Sequence, residues 1–194
     1  TGLISGITTN PTLIFKSGKH PQTVYQELIK LGIDDISMEV MGDSEDELFK
    51  NAMGHVKSYA EKATIKLPCT IDGLKACKRL SAINVRTNVT LVFSPAQAIL
   101  ASLAGATYIS PFIGRMDDNS LDGMKLINDI SNTLRSDTKI LAASIRDPQS
   151  VGTAFALGAD ICTVPTDVFD RMYNHVLTDK GLEQFERDNA ATSD

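Results

Sequence analysis

Ala104-Gly105-Ala106-Thr107-Tyr108-Ile109-Ser110-Pro111 and Leu157-Gly158-Ala159-Asp160-Ile161-Cys162-Thr163-Val164-Pro165 share one pattern. Each reads as a helix end, a glycine stop, a short strand and a proline. Prolines also follow Thr9-Asn10 and Ile65-Lys66-Leu67. The similarity is too weak for a sequence repeat, but it fits one structural unit used several times. Working outward, strand candidates fall at Leu3–Thr8, Asp35–Val40, Thr64–Leu67, Asn88–Phe93, Thr107–Ser110, Ile140–Ser144 and Asp160–Val164. Most are near-continuous apolar runs, the mark of parallel strands covered on both faces.

Helical segments separate them. Ser44 and Glu47 form a capping-box pair ahead of Leu48, Ala52, Val56 and Tyr59. Ser94-Pro95-Ala96-Gln97 supplies a cap, a first-turn proline and a box glutamine. Asp147-Pro148 opens a helix with Val151, Ala154 and Phe155 expected inward. Pro21–Leu31 stops at Gly32, and Leu121, Met124, Ile127, Ile130 and Leu134 mark a longer helix. Strict βα alternation leaves an open doubly wound sheet or a (β/α)8 TIM barrel. No Gly-x-Gly-x-x-Gly turn follows a strand, which favours the barrel. A barrel needs eight strands and seven are legible. The first βα unit is therefore expected to be absent from the sequence as it stands, leaving a gap or a filling segment between the edge strands. One domain is expected over 1–188, closing with a helix, and a frayed tail over 189–194.

Composition narrows the function. The chain has 194 residues, 42% of them hydrophobic, with net charge −5 and pI near 5.2. No Lys/Arg run offers a nucleic-acid footprint. The cysteines, Cys69, Cys77 and Cys162, are odd in number and lack metal-finger spacing, so free thiols in a reducing compartment are expected. His20, His55 and His175 are scattered, which argues against a histidine metal centre. No apolar run is long enough to span a membrane. These features point to a cytoplasmic protein with neither nucleic-acid nor membrane partners.

The residues at the carboxyl ends of the strands carry the chemistry a barrel would use. They are Thr8, Thr9, Asn10, Glu39, Lys66, Asn88, Thr90, Ser110, Arg115, Ser144 and Arg146. Lys66 sits in Thr64-Ile65-Lys66-Leu67-Pro68, with no obvious solvated place for its ammonium. A desolvated lysine that gives up its proton is a nucleophile towards carbonyl carbon. The bland alternative is an edge-strand lysine reaching water. Glu39, in Ser37-Met38-Glu39-Val40, could merely neutralise Lys66. Arg115 and Arg146 can each grip a phosphate through two parallel hydrogen bonds, with Ser144 beside them. Otherwise Arg115 forms a surface salt bridge with Asp117 or Asp118, and Arg146 is a helix-edge charge beside Asp147.

Four stretches, Gly6-Ile7-Thr8-Thr9-Asn10-Pro11, Ile65-Lys66-Leu67-Pro68-Cys69-Thr70, Thr87-Asn88-Val89-Thr90-Leu91-Val92-Phe93-Ser94 and Ile109-Ser110-Pro111-Phe112-Ile113-Gly114-Arg115, resemble transaldolases. The short branch, which includes fructose-6-phosphate aldolase, is similar in length. The resemblance implies a class I aldolase-type barrel in which Lys66 forms a Schiff base with a ketose phosphate, without a cofactor. It implies that Glu39 and Thr90 hold a catalytic water, and that Asn10, Asn88 and Ser110 contact substrate. Thr8 and Phe112 are candidate substrate contacts. Arg115, Ser144 and Arg146 fall at the phosphate site. The implied reaction moves a dihydroxyacetone unit between sugar phosphates in the pentose phosphate pathway. Glu39 and Phe112 match transaldolases, where the aldolases that release free dihydroxyacetone tend to carry glutamine and tyrosine. The family's first-strand aspartate has no match here. Relatives form rings, so a homo-oligomer, a pentamer or decamer, is expected.

Overall fold

The computed structural model describes residues 2–192. Its centre is one parallel sheet of seven strands in chain order. These are β1 (Ile7–Thr8), β2 (Ile36–Glu39), β3 (Ala63–Pro68), β4 (Thr87–Val92), β5 (Tyr108–Pro111), β6 (Lys139–Ala142) and β7 (Ile161–Cys162). A doubly wound sheet would reverse its order partway; this one never does. Thr8 on β1 and Thr163 just beyond β7 stand on the two edge strands, yet their hydroxyls lie 2.7 Å apart. Six strand spacings laid flat would hold them about 28 Å apart. The sheet is therefore curled like a barrel wall until its edges meet. They meet through these side chains; among the described residues no backbone ladder joins β1 to β7.

Helices cover the outside. Between β1 and β2 run α1 (Pro11–Ser17) and α2 (Pro21–Lys30), and α3 (Glu45–Tyr59) precedes β3. The helices α4 (Ile71–Ser81) and α5 (Pro95–Leu103) follow β3 and β4. Then come α6 (Ile113–Asp118) with α7 (Gly123–Thr133), α8 (Pro148–Ala156), and finally α9 (Thr166–Arg171) and α10 (Val176–Ala191). Polar caps start most of them directly after a strand. Asn10, Ser44, Thr70, Ser94, Asp122 and Asp147 each accept from a backbone N–H three residues on. The expected capping boxes reach one residue further back than the usual form: Glu47 accepts from Asp43 N and Gln97 from Phe93 N. The repeated glycine stops, Gly105 and Gly158, have φ of 82° and 103°, a conformation that only glycine adopts without strain.

The strands differ from the expected continuous apolar runs in one informative respect. They alternate. Ile36, Met38, Ile65, Leu67, Val89 and Ile109 are fully buried against Leu48, Ala52, Ala76, Leu80, Ala98 and Ala101 of the helices. Each large side chain so buried stabilises the fold by about 1.5–3 kcal/mol. The intervening positions Ser37, Glu39, Thr64, Lys66, Asn88, Thr90 and Ser110 point to the other face, the concave one. Phe155, expected inward, is half exposed; Val151 and Ala154 take the buried stripe of α8. Leu121 precedes its helix and is exposed. The helix α10 continues through Ala191 into the expected tail, whose last two residues, Ser193 and Asp194, lie outside the described residues.

Candidate active site

The concave face carries the chemistry. Lys66 is 5% exposed, and its Nζ donates to Glu39 Oε2 at 3.0 Å and to the Thr9 carbonyl at 3.1 Å. The ladder explains the first contact, because Glu39 stands opposite Lys66 in the β2–β3 register. On the other side Lys66 faces Asn88 across β3–β4. Asn88 is fully buried and bridges two serines: its Nδ2 donates to Ser37 Oγ at 3.2 Å, and its Oδ1 accepts from Ser110 Oγ at 2.7 Å. Thr90 Oγ1 is buried and finds no hydrogen-bonding partner among the described residues.

Lys66 opens onto a cavity of about 340 Å³ at the carboxyl ends of the strands. Thr8, Asn10, Lys66, Ser110, Phe112, Arg115, Ser144 and Arg146 all line it. Glu39, Asn88 and Thr90 stand behind that lining, within the sheet. Asn10 spends its Oδ1 on capping α1, so its amide N–H groups are what it can offer a ligand. Arg115 lies 5.3 Å from the centre of the Phe112 ring, which in turn packs edge-to-face on Phe93.

Ser144 has φ of 63°, a left-handed conformation uncommon for a side-chain-bearing residue. A Cβ on Gly114 would come within 2.4 Å of the Ser144 carbonyl, 2.8 Å of Arg146 Nε and 2.9 Å of Ser144 Oγ. The bare glycine thus lets the start of α6 approach the Ser144–Arg146 turn, where the Gly114 N–H donates to the Ser144 carbonyl at 3.2 Å. Arg146 does pair with a carboxylate, but not with its neighbour Asp147. Its two terminal nitrogens grip both oxygens of Asp118. Asp147 is already committed to the N–H and hydroxyl of Ser150 as the cap of α8. The hydrogen bonds from Arg146 hold the Asp118 carboxyl below the usual carboxylate range, and those to Asp118 hold the guanidinium above its own. Arg115 makes no ion pair with Asp117 or Asp118 among the described residues. The two arginines and Ser144 line the same cavity as the buried amine, with the Arg146 charge matched by Asp118.

Several contacts here were not foreseen in the sequence. Ser37 orients Asn88, Thr9 supplies a carbonyl to Lys66, Thr163 meets Thr8, and Asp118 holds Arg146. Thr9 carried a signal as a polar residue at a strand end, and Asp118 was named, but for Arg115. The thiols offer no rival nucleophile: burial pushes Cys69 and Cys77 up and Cys162 up to about 11. Among the described residues no group of three or more His, Cys, Asp or Glu is placed to hold a metal ion. No helix among them is long and apolar enough to cross a membrane.

A curled parallel βα sheet with a buried lysine and two arginines lining a cavity at its carboxyl end defines a class of barrel-type α/β proteins. Comparison with known proteins narrows the class. The family described as Transaldolase/Fructose-6-phosphate aldolase matches residues 1–194. A probable transaldolase of Caulobacter vibrioides is 49% identical over 195 residues, covering 99% of this chain and 89% of that protein. Probable transaldolases of Paracoccus denitrificans and Lactiplantibacillus plantarum are 47% and 45% identical, over 98% and 96% of this chain and 89% and 87% of theirs. The chain belongs to the transaldolase/fructose-6-phosphate aldolase family.

Proposed function

We propose that this protein is a transaldolase. It would convert sedoheptulose 7-phosphate and glyceraldehyde 3-phosphate to erythrose 4-phosphate and fructose 6-phosphate, a step of the pentose phosphate pathway. The observation that carries the reading is one cavity of about 340 Å³ holding the Lys66 amine and, at its rim, Arg115, Ser144 and Arg146. A nucleophilic amine and phosphate-binding arginines in one cavity would suit a ketose phosphate.

Lys66 attacks the ketose carbonyl, and loss of water leaves an iminium. The bond between C3 and C4 then breaks, its electrons moving into the iminium to give an enamine while the C4 hydroxyl loses its proton. The first aldose phosphate departs. The enamine carbon adds to the aldehyde of the second, and water releases the new ketose. A water between Glu39 and Thr90 would satisfy the orphaned Thr90 hydroxyl and could carry these protons. We assign to that pair the holding of this water. Asn10, Asn88 and Ser110 would bind substrate hydroxyls, with Thr8 and Phe112 shaping the pocket.

The second reading is an aldolase that releases free dihydroxyacetone, since the matching family includes both activities. Glu39 and Phe112 favour transfer. A cytoplasmic homo-oligomer, a pentamer or decamer, accompanies the proposal. Leu177, Leu182 and Phe185 on α10 are all exposed, as an assembly surface would require. The deciding experiment supplies fructose 6-phosphate with and without erythrose 4-phosphate. Transaldolase predicts sedoheptulose 7-phosphate only when the acceptor is present. Steady release of dihydroxyacetone without acceptor would replace this reading with the aldolase one.

A further inference from the structure

Ser37 is a buried hydroxyl that the reaction above leaves unused. It is 2% exposed and stands on β2, level with Thr64 on β3. Asn88, fully buried on β4, stands level with Lys66 on β3. The hydrogen bond from Asn88 Nδ2 to Ser37 Oγ, at 3.2 Å, therefore passes over β3 between the levels of Thr64 and Lys66. Two strand spacings laid flat would hold β2 and β4 about 9–10 Å apart, so the curl of the sheet is what lets these side chains meet. Thr64, in between, gives its hydroxyl proton to Asp35 instead, at 2.6 Å.

On its other side Asn88 Oδ1 accepts from Ser110 Oγ at 2.7 Å, and Ser110 lines the cavity with Lys66. These two bonds are the ones the Asn88 amide makes among the described residues. The last torsion of an asparagine side chain has broad preferences, so the rotamer alone does not fix the amide plane. With Ser110 as its one partner, the amide would pivot about that contact. The second bond, from β2, holds it. Ser37 does not line the cavity, so it reaches the site through Asn88. We propose that Ser37 is a positioning residue: its hydroxyl anchors the Asn88 amide from β2, and through Asn88 it places the Ser110 hydroxyl that lines the cavity with Lys66. The inference rests on the reading of Asn88 and Ser110 as contacts of the ketose.

The test is a double-mutant cycle of Ser37→Ala and Asn88→Ala, read as kcat/KM for fructose 6-phosphate with erythrose 4-phosphate as acceptor. Ser37→Ala should lower kcat/KM about threefold to tenfold, the worth of one ordinary hydrogen bond. In the Asn88→Ala background the same change should cost less than about twofold, because the group that Ser37 holds is gone. A serine with a structural role alone would lower Tm and leave the kinetics of the folded protein unchanged. A second readout needs no turnover. In 15N-labelled protein the Asn88 side-chain amide is identified by its loss in Asn88→Ala. Its hydrogen exchange should quicken about threefold to tenfold in Ser37→Ala. Should Ser37→Ala fail to fold, Ser37→Cys, which accepts only weakly, takes its place. Parental kcat/KM in folded Ser37→Ala, an equal loss in both backgrounds, or unchanged exchange each overturn the proposal. Parental kcat/KM in Asn88→Ala would overturn the reading of Asn88 as a ketose contact, and the role of Ser37 with it. Failure of the parent protein to act on fructose 6-phosphate would overturn the transaldolase reading, while the exchange rate still judges the anchor.

Discussion

The two ends of the curled sheet both bring charge among the strands, and they treat it in opposite ways. At the amino end Asp35 is saturated. It accepts from Thr64 Oγ1 at 2.6 Å, Tyr108 Oη at 2.8 Å and Arg86 Nη1 at 3.1 Å. The other arm of Arg86 is held by the carbonyls of Asp34 and Glu61. At the carboxyl end Thr90 Oγ1 has no partner among the described residues, Lys66 borders a cavity, and Ser144 sits in a left-handed turn. A satisfied polar network fixes a fold; polar groups that border a cavity on the same scaffold are available for chemistry. The contrast predicts stability effects without activity effects below, and the reverse above.

The largest effect should come from Lys66→Met. Methionine keeps the bulk of the stem and cannot form an imine, so turnover should drop to background while circular dichroism and elution volume stay those of the parent. Substantial transfer activity in a folded Lys66→Met protein would break the comparison at its upper end. Next, Arg115→Ala and Arg146→Ala should lower kcat/KM for phosphorylated substrates roughly tenfold to a hundredfold each, the worth of a charge-assisted contact. Unphosphorylated analogues should be nearly unaffected. Equal losses on both kinds of substrate would argue against phosphate capture.

Asp35→Ala tests the lower end. It strips three donors of their acceptor, and with the site partly open to water the cost should be about 2–3 kcal/mol. That corresponds to a fall in Tm of roughly 4–12 °C for a chain of this size. The surviving folded protein should keep its kcat. A parental Tm with lost activity would invert the assignment of the two ends.

The smallest effect is alkaline. Burial, then the hydrogen bond to Asp35, raises the Tyr108 phenol from 10.0 to about 12. Between those values an unfolded chain ionises this tyrosine while the folded one does not, so its contribution is intact below pH 10 and fades as pH climbs towards 12. Tyr108→Phe should lose less Tm than the parent over that interval. An identical decline in both proteins would remove Tyr108 from the account.

Much of this was legible before any coordinates. Glycine stops, proline-marked strand ends and polar caps are local signals, and they put all seven strands in their order. The polar character of the concave face was harder to read. Ile36-Ser37-Met38-Glu39 alternates, yet a lone serine among aliphatics carries no sign of its direction. Asp118 and Arg146 are 28 residues apart, and only the approach of α6 to the Ser144 turn unites them. The sequence suggested Asp147 instead, which the helix cap had already taken. Phe155 misled for a simpler reason: one step along a helix turns a side chain by about 100° away from the buried stripe. Thr9 meets Lys66 through its carbonyl, a contact that residue type does not show.

The central claim is that Lys66 forms a covalent imine with a ketose phosphate. The direct measurement incubates the protein with fructose 6-phosphate, reduces it with borohydride, and locates the added mass by peptide sequencing. The account predicts a single stable adduct on the peptide containing Lys66, absent from Lys66→Met. Full transfer activity with no adduct, or an adduct on another lysine that survives Lys66→Met, would contradict it.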